Sequence, residues 1–394
     1  MTSDFVYLDY AASAPMRPEA LAAERAYAEA PYAGANPNSL HTTGRMAARA
    51  LDGARADLVR IMGGRFRPSD VVFTSSGTES NNLALHGLAE GMRSRDRSRT
   101  RVVVSAIEHD SEEEVIPSLR ERGFEVTSVR PGRDGVVAPE ALAEAMGPDV
   151  GLVSVMSANN ETGVVQPTGE LARVAHGSGA LFHTDAAQAF CKVPLDVAEA
   201  DAVTLSAHKI GGPVGIAALV VRGRCPLRPQ CFGGGQEQGK RPGTQPVRAA
   251  LAFAAAARAA SEDLEGRRRL VAGRAQALYD AVCAEGTGIV PTTTAEVGAG
   301  RLPGMVSVMA PGLDSESLVL QLDAAGFEVS AASACASASL EPSHVLSAMG
   351  VPRDEALGSL RVSFDERVDP ADLERFAAEL VDVVRRLSRG RGRG

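Results

Sequence analysis

Two segments decide the fold of this chain: Leu181-Phe182-His183-Thr184-Asp185, and, after a short spacer, Ala202-Val203-Thr204-Leu205-Ser206-Ala207-His208-Lys209-Ile210-Gly211-Gly212-Pro213. Each opens as a short apolar run without strict alternation, the pattern of a strand covered on both faces in a mostly parallel sheet. Each closes in polar side chains, and open α/β sheets bind ligands beyond the carboxyl ends of their strands. Similar runs lie outward in both directions, at Val71–Ser75, Arg101–Ser105, Phe124–Val129, Leu152–Met156 and Ile216–Val221. Helical patterns fall between them, at Glu79–Met92, Ser111–Arg122, Pro139–Met146 and Gly169–Gly177. Strand alternating with helix predicts an α/β unit. An Ala-rich stretch, Pro246–Cys283, broken by the charged patch Glu262–Arg269, reads as a helix leading out of that unit. Beyond it, strands at Met305–Ala310 and Leu360–Phe364 and helices at Ser315–Ala325 and Pro370–Leu387 predict a smaller α+β domain.

Composition narrows the function classes. With 394 residues, 44% apolar and 23% charged, the chain is long enough for two or three ordinary units with substantial cores. No early run of 18 apolar residues occurs, so no membrane span is expected. Met1 to Asp9 has neither a basic region nor an apolar one, so no secretory signal is expected. A net charge of -8 makes a poor general binder of nucleic acid or acidic lipid. Five cysteines, an odd number with no CxxC pair, form neither a disulfide framework nor a zinc site. A reducing, cytoplasmic setting follows. The Arg-Gly tail from Arg389 to Gly394 reads as a solvated end.

Five polar clusters stand at the exits of predicted strands. Lys209 at the end of one strand is a possible amine nucleophile if partly desolvated, and Gly211-Gly212-Pro213 turns the chain tightly beside it. Taken alone it is more often a surface Lys. Asp185 ends another strand, and a carboxylate there holds an aromatic ring nitrogen in its protonated form; alone it is a turn or cap residue. A Lys for a Schiff base and an acid for a pyridinium nitrogen are the two groups pyridoxal phosphate (PLP) requires. Ser76-Gly77-Thr78, between a strand and a helix, offers backbone N–H groups and hydroxyls to a phosphate, although Ser76 and Glu79 also form an ordinary capping pattern. His109 follows a strand and can stack on a flat cofactor and move protons. Asn160, in Asn159-Asn160-Glu161-Thr162-Gly163, can donate to an anionic oxygen or simply make a turn. Each cluster alone favours the plainer structural reading; five at the edge of one sheet do not. In the smaller domain, Ser333-Ala334-Cys335-Ala336-Ser337 is a small-residue loop whose Cys is a usable nucleophile once deprotonated, or else a buried structural Cys. Arg361 is a candidate carboxylate clamp, with a surface ion pair as the alternative.

With these residues in hand, the sequence resembles the cysteine desulfurases of the NifS/IscS type, class V aminotransferase-like enzymes on PLP fold type I. The likeness runs from Tyr7-Leu8-Asp9-Tyr10-Ala11-Ala12 through Gly34-Ala35-Asn36-Pro37 to Arg361-Val362-Ser363-Phe364. Its most specific pieces are Ser206-Ala207-His208-Lys209, Arg241-Pro242-Gly243-Thr244, and Ser333-Ala334-Cys335 with Ser339-Leu340-Glu341-Pro342-Ser343. The resemblance implies an N-terminal arm over 1–15 that packs with the small domain. A large PLP-binding domain over 16–255 follows, then a linker helix and small domain over 256–394. It implies Lys209 as the PLP Schiff-base residue and His109 as the ring-stacking proton shuttle. Gly77, Thr78, Ser206 and His208 would hold the phosphate, joined by Thr244 from the other subunit of a homodimer. Asp185 would face the pyridine nitrogen, Gln188 and Asn160 the ring oxygen, and Arg361 with Asn160 the substrate carboxylate. L-cysteine would become L-alanine, with Cys335 carrying the sulfur as a persulfide to an acceptor protein, either a scaffold or a sulfur carrier. Iron–sulfur assembly and transfer RNA thiolation are both open as destinations. The alternatives are another class V enzyme, such as a selenocysteine lyase or an aminotransferase, and a non-catalytic binding subunit. The sequence departs from the family at Ala331-Ala332, where Gly usually precedes the Ser-Ala-Cys, at Ala336 in place of Thr, and at Val214 in place of Lys.

Overall fold

The computed structural model describes residues 5–331 and 341–391. Its centre is a seven-stranded sheet in the order Val71–Thr74, Ala217–Val221, Ala202–Ser206, Leu181–Asp185, Val150–Ser154, Arg101–Ser105, Glu125–Val129. Ala217–Val221 runs antiparallel to both neighbours, and the other six strands are mutually parallel. The expected mostly parallel α/β architecture is therefore present.

Both faces of the sheet are covered, which is why its strands read as continuous apolar runs. Val71, Phe73, Val103, Val153, Phe182, Val203 and Val220 join one core. Val72, Val102, Val104, Leu152, Ala202, Leu219 and Val221 join the other, by the two-residue period of a strand. On the first face the helix Val247–Ser261 packs against Pro18–Glu29 and Thr42–Met62. Its run of alanines is almost wholly buried, and only small side chains permit so close a packing. Gly77–Arg95 covers the second face.

The Ala-rich stretch is two helices, Val247–Ser261 and Leu264–Val282. The chain breaks at Asp263, in the left-handed region at φ 45°, whose side chain accepts from the Gly266 N–H and starts the second helix. The helix expected over Ser111–Arg122 is likewise two short ones, Asp110–Glu113 and Ile116–Glu121. Pro117 lacks the N–H that would continue the ladder across the gap. Pro18–Glu29 and Thr42–Met62 were not expected from the sequence at all.

A second, four-stranded antiparallel sheet is ordered Ser330–Ala331, Ser359–Ser363, Met305–Met309, Val290–Pro291. It shares a separate core with Leu264–Val282, Ser315–Ala324 and Pro370–Arg391. The N-terminal strand Val6–Tyr7 pairs in parallel with Phe327–Glu328, and the Ala11 N–H donates to Ser363 Oγ at 2.8 Å. From there the arm reaches the central sheet, where the Ala14 N–H donates to the His208 carbonyl. Arg17 ties the two sheets together: it donates to the Ile210 carbonyl at 3.0 Å and to Glu366 at 2.8 Å.

Candidate active site

Five strand exits converge on one edge of the central sheet because the five strands carrying them, Val71–Thr74, Arg101–Ser105, Val150–Ser154, Leu181–Asp185 and Ala202–Ser206, all run the same way. A cleft of about 220 Å³ lies there, lined by Gly77, Thr78, His109, Asn160, Asp185, Gln188, Ser206, His208 and Lys209.

Lys209 sits in a 3-10 turn, His208–Ile210, that ends at Gly211 with φ 80°. Its Nζ donates to the carbonyls of Ala11 and Ala12 at 2.6 and 2.9 Å, so the N-terminal arm forms a wall of the cleft. His208 meets Ser13 Oγ at 3.3 Å. Burial pushes its imidazole down to about 4, helped by the charges of Lys209 and Lys192, so it is neutral near pH 7.

Asp185 is buried at the end of its strand. Oδ2 accepts from Asn81 Nδ2 at 2.7 Å and Oδ1 from the Ala187 N–H at 2.8 Å. Asn81 also donates to Ser111 Oγ at 2.9 Å, and Ser111 touches His109. The Ser111 N–H points at His109 Nδ1, 3.0 Å away, so Nδ1 accepts and the neutral ring carries its proton on Nε2. Burial lowers the His109 pKa, while the Asp185 charge opposes that shift. The structure brings His109 and Asp185 to one cleft; the Asn81–Ser111 link between them had no sequence signal beyond its polarity.

Near Asp185 lie two further carboxyl groups that the sequence reading missed. Glu108 accepts from Ser105 Oγ and from the Met156 N–H, and Glu112 accepts from Ser154 Oγ at 2.6 Å. Glu108 Oε2 and Glu112 Oε1 are both buried without a partner, so neither carboxyl has the donors that would favour its charged form there. Burial, reinforced by the Asp185 charge, pushes Glu112 up to about 8. Glu108 is also raised, by burial and then by Glu112.

Arg361 is 4% exposed and is not among the residues lining this cleft. It donates to Asp9 Oδ1 at 2.8 Å and to the Asn160 carbonyl at 2.9 Å. Its Nε and Asn160 Oδ1 are both buried without a partner. Thr244 is exposed and is not among the residues lining this cleft. Cys335 lies outside the described residues. Among the described residues on either side of it, Ser330 pairs with Arg361, Ser343 donates to Glu161, and His344 meets the Glu108 carbonyl at 2.9 Å. Among the described residues no cluster suits a metal ion, and no helix is long and apolar enough to cross a membrane.

The aminotransferase class-V family model matches residues 6–376. The chain is 38% identical to an IscS-like cysteine desulfurase of Mycobacterium tuberculosis over 97% of each chain. It is 35% identical to the cysteine desulfurase IscS of Dictyoglomus turgidum over 97% of this chain and 95% of the relative. A solved NifS-like protein superposes with a TM-score of 0.87 at 30% identity, covering 96% of this chain and 99% of the other. The chain belongs to the aminotransferase class-V family, among its NifS/IscS-type cysteine desulfurases. This desulfurase family consists of PLP enzymes, so the cleft can be tested against the chemistry of that cofactor.

Proposed function

We propose that this desulfurase holds PLP at Lys209, converts L-cysteine to L-alanine, and passes the sulfur through Cys335 to an acceptor protein. The observation that carries the reading is the meeting of Lys209, Asp185, His109 and the Gly77–Thr78 helix start in one cleft. The residues fit the cofactor. Ser206 Oγ is buried without a partner beside Gly77, whose missing Cβ would stand 3.8 Å from the Ser206 Cβ. A phosphate there would meet Ser206 Oγ and the N-terminus of Gly77–Arg95. Asp185, fixed by Asn81 and the Ala187 N–H, would face the ring nitrogen, and Gln188 the ring oxygen. Neutral His109 would stack on the ring, and neutral His208 would sit by the phosphate without adding charge.

When bound, PLP supplies an electron sink for the carbanion left at the substrate's Cα. The chain supplies the rest. Arg361, aided by Asn160, would hold the substrate carboxylate. Lys209 would take the Cα proton, and His109, protonated only at Nε2, would pass protons on the other side. The Cys335 thiolate would attack the substrate sulfur. The C–S bond breaks, an S–S bond forms, and the electron pair stays with carbon, which takes up a proton to become L-alanine. The enzyme is left as a persulfide; an acceptor protein's thiolate would then attack its outer sulfur, forming a new S–S bond on the acceptor and releasing the Cys335 thiolate. A homodimer would bring Thr244 of a second subunit to the phosphate, which fits its exposure outside its own cleft. The reducing cytoplasm suits the chemistry, and the four described cysteines are unpaired.

Borohydride reduction of the PLP-loaded protein followed by peptide mapping tests the reading. A pyridoxyl group on Lys209 is expected; a protein that takes up no PLP, or carries the label elsewhere, overturns it. Assayed with L-cysteine, the loaded enzyme should release alanine rather than a keto acid.

A further inference from the structure

Lys192 stands one turn past Gln188 and projects into a second cavity at the junction of the two sheets, which it shares with Arg17, Asp365 and Lys209. Its Nζ donates to Gln188 Oε1 at 3.0 Å. Gln188 Nε2 in turn donates to the Ala11 carbonyl at 2.9 Å, the same carbonyl that accepts from Lys209. Both ends of the carboxamide are thereby fixed. Turning it over would set a carbonyl against the Ala11 carbonyl, losing that hydrogen bond, and would also set NH2 against an ammonium whenever Lys192 is protonated. One N–H of Gln188 remains, and Gln188 lines the cleft.

We propose that Lys192 is a positioning residue: it locks the Gln188 carboxamide so that this side chain presents only a donor to the cleft. The inference rests on the PLP reading and deepens it. A donor fixed there selects the cofactor form whose ring oxygen is an anion, because an anion accepts a hydrogen bond that a neutral hydroxyl competes for. The charged groups facing Lys192 are Lys209, Arg361 and Asp365, with the Cys191 thiol beside it. Burial, then Lys209, brings its amine down to about 7, and the amine donates to Gln188 whether protonated or not.

The test is a titration of the visible absorption of the PLP-reconstituted full chain, for the wild type, Lys192→Met, Lys192→Arg, Gln188→Met and the double variant Lys192→Met/Gln188→Met. Loss of the donor should raise the titration midpoint by about one pH unit, a tenfold change of the kind expected for one hydrogen bond to a charged group. Lys192→Arg should restore most of it. The double variant separates positioning from simple charge. If Lys192 acts through Gln188, adding Lys192→Met to Gln188→Met moves the midpoint no further. A midpoint unchanged in Lys192→Met overturns the inference, as does a full extra shift in the double variant. Should Lys192→Met fail to fold, Lys192→Leu against Gln188→Met gives the same comparison. A wild type that takes up no PLP defeats the underlying reading instead, so the two failures are told apart.

Discussion

Replacing Glu112 by Gln should stabilise this protein, and should do so only above mildly acidic pH. Glu112 is fully buried between Glu108, Ser154 and Asp185, and its folded pKa is raised to about 8 from an ordinary 4.5. The unfolded chain loses that proton near 4.5, whereas the folded protein keeps it to about 8. Between those values folding takes up a proton, so unfolding free energy falls as pH rises, by about 1.4 kcal/mol per pH unit for one group. At pH 7 the penalty is on the order of 3 kcal/mol, and it levels off above pH 8. Gln carries no proton to take up and keeps an oxygen for Ser154. Thermal unfolding of wild type and Glu112→Gln should therefore coincide near pH 4.5 and separate by a few degrees at pH 7 to 8, the variant being the more stable. A gap that stays constant from pH 5 to 8, or one of opposite sign, would refute a Glu112 that keeps its proton in the folded protein.

Other expectations follow from neighbouring groups. Arg361→Ala should raise the KM for L-cysteine at least about tenfold, since it removes a bidentate donor for the carboxylate; steady-state kinetics against Arg361→Lys checks this. Asp185→Asn should leave the fold intact by circular dichroism but cut turnover by an order of magnitude or more, because an amide cannot hold a pyridinium. Glu237 forms a buried pair with Arg55 and accepts from the Phe73 N–H at 2.9 Å. Glu237→Ala should cost roughly 3–5 kcal/mol in urea unfolding by stranding that guanidinium. His176 is raised by its hydrogen bond to Asp201 at 2.8 Å. Its contribution is complete below pH 6.5 and lost as pH climbs through the folded value, so His176→Phe should lose more stability at pH 5.5 than at pH 8.

Much of this was legible in the sequence for identifiable reasons. Leu181–Asp185 and Arg101–Ser105 are strands with the expected bounds, since burial on both faces leaves an unbroken apolar signature. Lys209, Asp185, His109, Gly77 and Asn160 were findable because a parallel sheet sends every strand exit to one edge. Val150–Ser154 was expected two residues late because its last apolar residues continue past the ladder into the site. Asn81 and Glu112 sit on helices, where a lone Asn or an acidic run reads as a solvated face. Only tertiary packing brings them to Asp185. Lys192 belongs to the same class: a Lys before Val-Pro says nothing of the Gln188 amide it holds. The ion pair between Arg361 and Asp9 joins residues 352 positions apart, so nothing local in the sequence announced it.

In the proposed reaction the sulfur of L-cysteine passes through Cys335. Peptide mass spectrometry of the PLP-loaded protein after exposure to L-cysteine should find one extra sulfur on the peptide containing Cys335, and none on those containing Cys191, Cys225, Cys231 or Cys283. Alanine released with no sulfur at Cys335, or with sulfur on another of these thiols, would contradict it.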